Sequence, residues 1–141
     1  MAVEEGRRAM TAEASMNGFF RVEELPTKVL AGIQLRSVHL ENLMITFVDY
    51  PEGSSVAAHH HRHEQITYVL EGCLEVTLAG ETRVLAPGDG VRIAANVEHS
   101  SRPVDGAAKA LDAWTPVPKR FKVEQATTLG HHVPISGESL S

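Results

Sequence analysis

Apolar and polar residues alternate along much of this chain with the two-residue period of β-strands rather than the 3.6-residue period of helices. From 43 to 50 the order Leu-Met-Ile-Thr-Phe-Val-Asp-Tyr puts Leu43, Ile45 and Phe47 on one face and Met44, Thr46 and Val48 on the other. The run stops at Pro51-Glu52-Gly53, a turn signal. Two further β-branched runs, 66–70 and 74–78, are separated by Glu71-Gly72 and predict a hairpin. Breaks at Ala79-Gly80, at Pro87-Gly88-Asp89-Gly90 and between Pro103 and Gly106 delimit shorter strands at 82–85, 90–93 and 107–114. No helical stripe longer than about two turns precedes residue 119. Short strands with turn residues between them predict an all-β sandwich or barrel. Phe47, Met44, Tyr68 and Ile93 are expected to line its interior.

With 141 residues, 43% of them hydrophobic, the chain fits one globular domain. The division expected is a leader at 1–17, a β-barrel at 18–118 and a tail at 119–141. A net charge of −5 without a block of like charges argues against a nucleic-acid or membrane-surface binder. No segment approaches a membrane span, the N-terminal stretch lacks the apolar core of a signal peptide, and the one cysteine, Cys73, sits in a strand-like run. The expectation is a cytoplasmic protein whose cysteine is a buried or half-buried strand residue.

Histidine breaks this ordinary picture, because four of the 8 fall within residues 59–63. On an extended backbone His59 and His61 share a face while His60 and Arg62 point away, and two imidazoles on one wall make half a metal site. Gln65 lies just beyond as a neutral oxygen ligand, and His99, across a turn and a strand, is the fourth candidate. His63 has the same parity and competes for a ligand position; Glu64 competes too, although its parity turns it outward. A patch of solvated histidines is the alternative.

Two motifs in order carry a family resemblance. Gly53-x5-His59-x-His61-x3-Gln65-x6-Gly72 resembles the first cupin motif, and Pro87-Gly88-Asp89 followed by His99 resembles the second. The resemblance runs from about Gly32 to Trp114 and implies a single-domain, jelly-roll-like β-barrel of short antiparallel strands. It also implies one divalent transition metal (Zn, Ni, Mn or Fe) held by His59, His61, Gln65 and His99. Most cupins have Glu where this chain has Gln65. With Gln at that place, the stretch is similar to the pectin-degradation cupins that process unsaturated uronates. A neutral ligand leaves the metal more electropositive, which favours Lewis-acid chemistry.

In that family a later strand carries Asp-x-Phe-x-Pro-x-Arg lining the substrate pocket, and Asp112-Ala113-Trp114-Thr115-Pro116-Val117-Pro118 is its counterpart here. The resemblance makes Asp112 the acid/base and Trp114 a substrate contact, while Pro118 occupies the arginine position and leaves Arg120 as its replacement. On the residues alone, Asp112 is equally an Asp satisfied at a strand end, and Trp114 equally a core or interface aromatic. Arg92, which interrupts an apolar segment, is a further candidate for the ligand, as are Arg36 and Arg102. The function implied is a metal-dependent enzyme of isomerase or tautomerase type on a small hydroxylated carbonyl or sugar acid, acting as a homodimer. The alternatives are a metal-dependent oxygenase or polyketide-cyclase-like cupin, and a noncatalytic metal- or ligand-binding cupin.

Overall fold

The computed structural model describes residues 17–117, in which a 3-10 turn (Val22–Glu24) precedes eight strands. These are β1 (Lys28–Leu30), β2 (Ile33–His39), β3 (Met44–Tyr50), β4 (Val56–His59), β5 (Glu64–Leu78), β6 (Glu81–Leu85), β7 (Gly90–Ile93) and β8 (His99–Thr115). No α-helix occurs among the described residues, every strand pairing is antiparallel, and the all-β jelly-roll architecture expected from the sequence is what the chain adopts. No helix among the described residues is long and apolar enough to cross a membrane.

Two long strands organise the rest. The first half of β5 pairs with the last part of β8, from Glu64 opposite Thr115 to Val69 opposite Ala110. Its second half pairs with the beginning of β8, from Cys73 opposite Val104 to Leu78 opposite His99. Around the first half the sheet continues through β3, β2 and β1 on one side and β7 on the other; around the second half β4 and β6 take the flanks. The result is one eight-stranded sheet whose two halves share β5 and β8 around one core, with Ile33, Leu35, Met44, Val69, Leu74 and Trp114 among its buried side chains. Burying such residues supplies roughly 1.5–3 kcal/mol each.

The hairpin expected at Glu71-Gly72 is not formed, since 66–70 and 74–78 are halves of one strand. Gly72 has φ +73°, and a Cβ there would overlap the Ala107 carbonyl and lie 2.9 Å from Ala108 Cα. The backbone therefore kinks against β8 instead of reversing, and the register slips between Val69 and Cys73. Opposite it, Asp105 and Gly106 also take positive φ, so the break expected between Pro103 and Gly106 is a bend inside β8. Pro103 lies past the stretch of β8 that β4 covers, an edge position where a missing N–H is tolerated.

Core placement also departs from expectation at two aromatics. Met44 and Ile93 are buried as anticipated, but Tyr68 is exposed and Phe47 is half-buried against Phe20, with ring centroids 6.4 Å apart. The reason is strand parity: in β5 Gln65, Thr67 and Val69 face inward, so Ile66, Tyr68 and Leu70 face out, and in β3 the inward positions belong to Met44, Thr46 and Val48, which leaves Phe47 on the other face. The interior at this end holds the polar Gln65 and Thr67 beside the apolar Met44, Ile93 and Trp114. Cys73 is half-buried, as expected.

Candidate metal centre

β4 ends at His59, yet the alternation of the side chains persists through the following loop into β5. His59, His61, His63 and Gln65 are buried, whereas His60, Arg62 and Glu64 are exposed. The loop is anchored by the Asn96 backbone N–H, which donates to the His61 carbonyl at 2.7 Å. His99 arrives from β8, directly opposite His59 in the ladder. Residues 40 positions apart thus meet because β4 and the start of β8 are neighbours.

Three imidazoles converge: the ring centroids of His59 and His99 are 4.3 Å apart, those of His61 and His99 5.0 Å, and those of His59 and His61 5.4 Å. Each uses its Nδ1–H to donate to a backbone carbonyl, His59 to Ala57 at 2.8 Å, His61 to His63 at 2.9 Å and His99 to Val97 at 2.9 Å. This fixes the tautomer and leaves Nε2 of each ring as a lone-pair donor. Burial, with smaller contributions from neighbouring histidines, pushes all three pKa values below the usual 6.5, so the rings stay neutral near pH 7. One ligand atom from each of the three lies within 4.8 Å of the others.

Gln65 completes the ring of donors. Its Nε2 donates to Thr67 Oγ1 at 2.9 Å, leaving Oε1 3.1 Å from His61 Nε2. With the His61 proton committed at Nδ1, these are two acceptors facing each other, and His99 Nε2 is buried with no hydrogen-bond partner. Buried acceptors are rarely left this way, and a bound cation would satisfy all of them. Three imidazole nitrogens and one amide oxygen suit Zn, Ni, Mn or Fe.

Asp112 sits on β8 with its carboxylate accepting the Thr67 hydroxyl at 2.6 Å. Burial raises its pKa to about 6, with hydrogen bonds from Thr67 and Gln65 pulling the other way. Trp114, two residues on and on the same face, places its ring 5.4 Å from that of His61 and donates its Nε1–H to Thr46 Oγ1 at 3.2 Å. It is therefore both core and wall of the site. His63 is fully buried but stands apart from the cluster; its Nδ1–H donates to the Pro116 carbonyl at 2.6 Å and ties the loop to the end of β8. Arg92 is exposed on β7 while its neighbour Ile93 turns inward, and it lines one cavity together with Gln65 and Trp114. Arg36 and Arg102 spend their guanidinium groups elsewhere, on Thr27 and Glu75. Pro118 and Arg120 lie outside the described residues.

A family model described as "Cupin domain" matches residues 46–114, which contain every one of these site residues from His59 to Trp114. The chain is 30% identical over 104 residues to the pectin degradation protein KdgF of Dickeya dadantii (strain 3937), covering 72% of this chain and 94% of that protein. This chain belongs to the cupin family. Among solved structures, this cupin is similar to KdgF from Halomonas sp., with a TM-score of 0.70 and 30% identity over 74% of this chain and 98% of the other. An RmlC-like cupin from Shewanella frigidimarina NCIMB 400 shares the fold, with a TM-score of 0.70 at 24% identity over 74% of this chain and 96% of that one.

Two residues of this cupin's interior escaped the sequence reading. Thr67 reads in the sequence as one of the β-branched residues of the 66–70 run, although a polar residue two after Gln65 must share its face. Tyr50, buried with its hydroxyl 3.3 Å from Ser101 Oγ, is kept protonated by burial and by the charge of Asp112. No spacing rule singles it out, because its neighbours come from β8.

Proposed function

We propose that this cupin is a metal-dependent enzyme of isomerase or tautomerase type on a small hydroxylated carbonyl or sugar acid. His59, His61, Gln65 and His99 are the ligands and Asp112 is the acid/base. The observation that carries this reading is the convergence of unpartnered nitrogen and oxygen lone pairs at a buried site one hydrogen-bonded chain away from a carboxyl with a pKa of about 6. A bound divalent cation supplies Lewis-acid polarisation of a substrate carbonyl or hydroxyl, more strongly beside a neutral Gln65 than beside a Glu. Asp112, poised near neutrality, takes or gives the proton at its carboxyl oxygen. Trp114 offers a flat apolar wall beside His61.

The likeness to the pectin degradation protein KdgF supports a uronate-like substrate. Incubation with 4,5-unsaturated galacturonate should show accelerated loss of the ring form, and Asp112→Asn should lower the rate by about 10²–10⁴-fold. No acceleration over buffer rejects the uronate assignment. Pro118 at the family's arginine position favours a second reading, a three-histidine oxygenase or cyclase-like cupin whose substrate needs no carboxylate clamp. Oxygen uptake by iron- or manganese-loaded protein separates the two.

We also assign the outer apolar face to a second copy of the chain. Leu43, Ile66, Tyr68 and Leu70 are each 42–53% exposed. A cavity of about 570 Å³ is lined by Leu43, Ile66, Glu64 and Arg92 from this face and also by Gln65 and Trp114 of the site. Opposite charges on one patch suit a two-fold interface in which each meets its complement. Light scattering should show a dimer that Ile66→Glu converts to a monomer; a monomeric parent protein refutes the assignment.

A further inference from the structure

The hydrogen-bonded chain behind the metal centre has a direction. Thr67 donates its one hydroxyl proton to Asp112 Oδ1 at 2.6 Å, a short bond of the charge-assisted kind. Having spent that proton, Thr67 turns only lone pairs toward Gln65 and can only accept from it. The amide must then present Nε2 to Thr67, which it does at 2.9 Å, and Oε1 to the histidines.

The opposite orientation of the amide has a specific consequence. Rotated by half a turn, Gln65 would set its Oε1 against the Thr67 lone pairs and its N–H groups against His61 Nε2. That nitrogen is an acceptor, because its ring donates from Nδ1 to His63. The rotated amide would therefore donate to His61, removing its own oxygen and one imidazole from the cluster together. A side-chain amide beside a neutral histidine has two states, one open to a cation and one closed upon itself; its N–H groups are drawn to Thr67 and to the Asp112 carboxylate, and Thr67 is the nearer acceptor through which the bias is tested.

We propose that Thr67 is a positioning residue that holds Gln65 in the open state, with Asp112 fixing the direction of the Thr67 hydroxyl. The inference rests on the reading that His59, His61, Gln65 and His99 bind a divalent cation. Affinity for that cation is divided by the fraction of protein in the competent state, so losing the bias weakens binding without touching a ligand. Thr67 is buried, and valine matches its shape, so Thr67→Val removes the hydroxyl and little else.

The test is titration of chelator-treated protein with Ni²⁺, with thermal unfolding of each metal-free variant recorded alongside. Thr67→Val should weaken Ni²⁺ binding by about tenfold or more, while Thr67→Ser, which keeps the hydroxyl, restores most of the affinity. Gln65→Leu removes the amide altogether, and adding Thr67→Val to it should cause no further loss. A merely structural Thr67 would weaken binding equally in both backgrounds, and that result overturns the proposal, as does wild-type affinity in Thr67→Val. Should the valine variant fail to fold, Thr67→Ala and Thr67→Ser make the same comparison. His99→Ala separates this inference from its premise. If it binds Ni²⁺ like the parent, the metal centre itself is wrong; if it loses binding while Thr67→Val does not, only the role of Thr67 falls.

Discussion

Replacing Asp112 by Asn removes a charge that the protein interior opposes. The folded carboxyl has its pKa raised from an ordinary 3.8 to about 6, chiefly by burial. A difference of about 2 pH units is worth roughly 3 kcal/mol at about 1.4 kcal/mol per unit, all of it against folding when the group is ionised in both states. The sign is opposite to that of a salt-bridged carboxylate. Above about pH 6 the cost is complete; as pH falls toward 3.8 the folded form takes up its proton first and the cost shrinks, to about 1 kcal/mol at pH 4.5. The lowered pKa values of His59, His61 and His99 act the other way, contributing stability that is lost as pH falls through 6.5, but they are common to both proteins and cancel in the difference. Asparagine keeps an oxygen for the Thr67 hydroxyl, so the local hydrogen bond survives. Urea unfolding of chelator-treated protein should therefore show Asp112→Asn gaining stability over the parent at pH 8, by about 2 kcal/mol more than it does at pH 4.5. A stability difference that stays flat across this range would mean that Asp112 is not desolvated, and the acid/base role assigned to it would lose its physical basis.

At the kink in β5, Gly72→Ala combines a positive φ with overlap on the Ala107 carbonyl and should cost at least about 2 kcal/mol in chemical unfolding. Gly80→Ala, with a similar φ but nothing within 4 Å of the added carbon, should cost only about 1 kcal/mol; equal losses would show that the contact with β8 does not shape β5. His63→Ala leaves a buried hole and an unmet Pro116 carbonyl, lowering stability by about 2–4 kcal/mol. The same variant should still bind one metal ion per chain, and loss of binding without loss of fold would make His63 a ligand after all.

The period-two pattern carried most of the fold, because a strand with one buried face writes its alternation directly into the chain. Parity alone also separated the inward residues His59, His61, His63 and Gln65 from the outward His60, Arg62 and Glu64, even though the stretch 60–63 is a loop. What parity does not reveal is pairing. Gly72 looks the same whether the chain reverses or kinks, and only its contact with Ala107 and Ala108, 35 and 36 residues on, decides for the kink. Similarly, Tyr68 and Phe47 read as core because aromatics are usually buried, but the inward positions of β5 went to Gln65 and Thr67, and those of β3 to Met44, Thr46 and Val48. Two of the four inward groups at the centre, His59 and His99, meet through a β4 to β8 ladder that no local signal announces. The resemblance to cupins supplied that link before the geometry did.

The most direct test of the metal centre is anomalous diffraction from crystals of the protein loaded with Zn²⁺ or Ni²⁺. One peak per chain is expected, about 2.1 Å from Nε2 of His59, His61 and His99 and from Oε1 of Gln65, and it should vanish in His59→Ala. A peak coordinated instead by His60 or His63, or no peak within the barrel, would contradict the account.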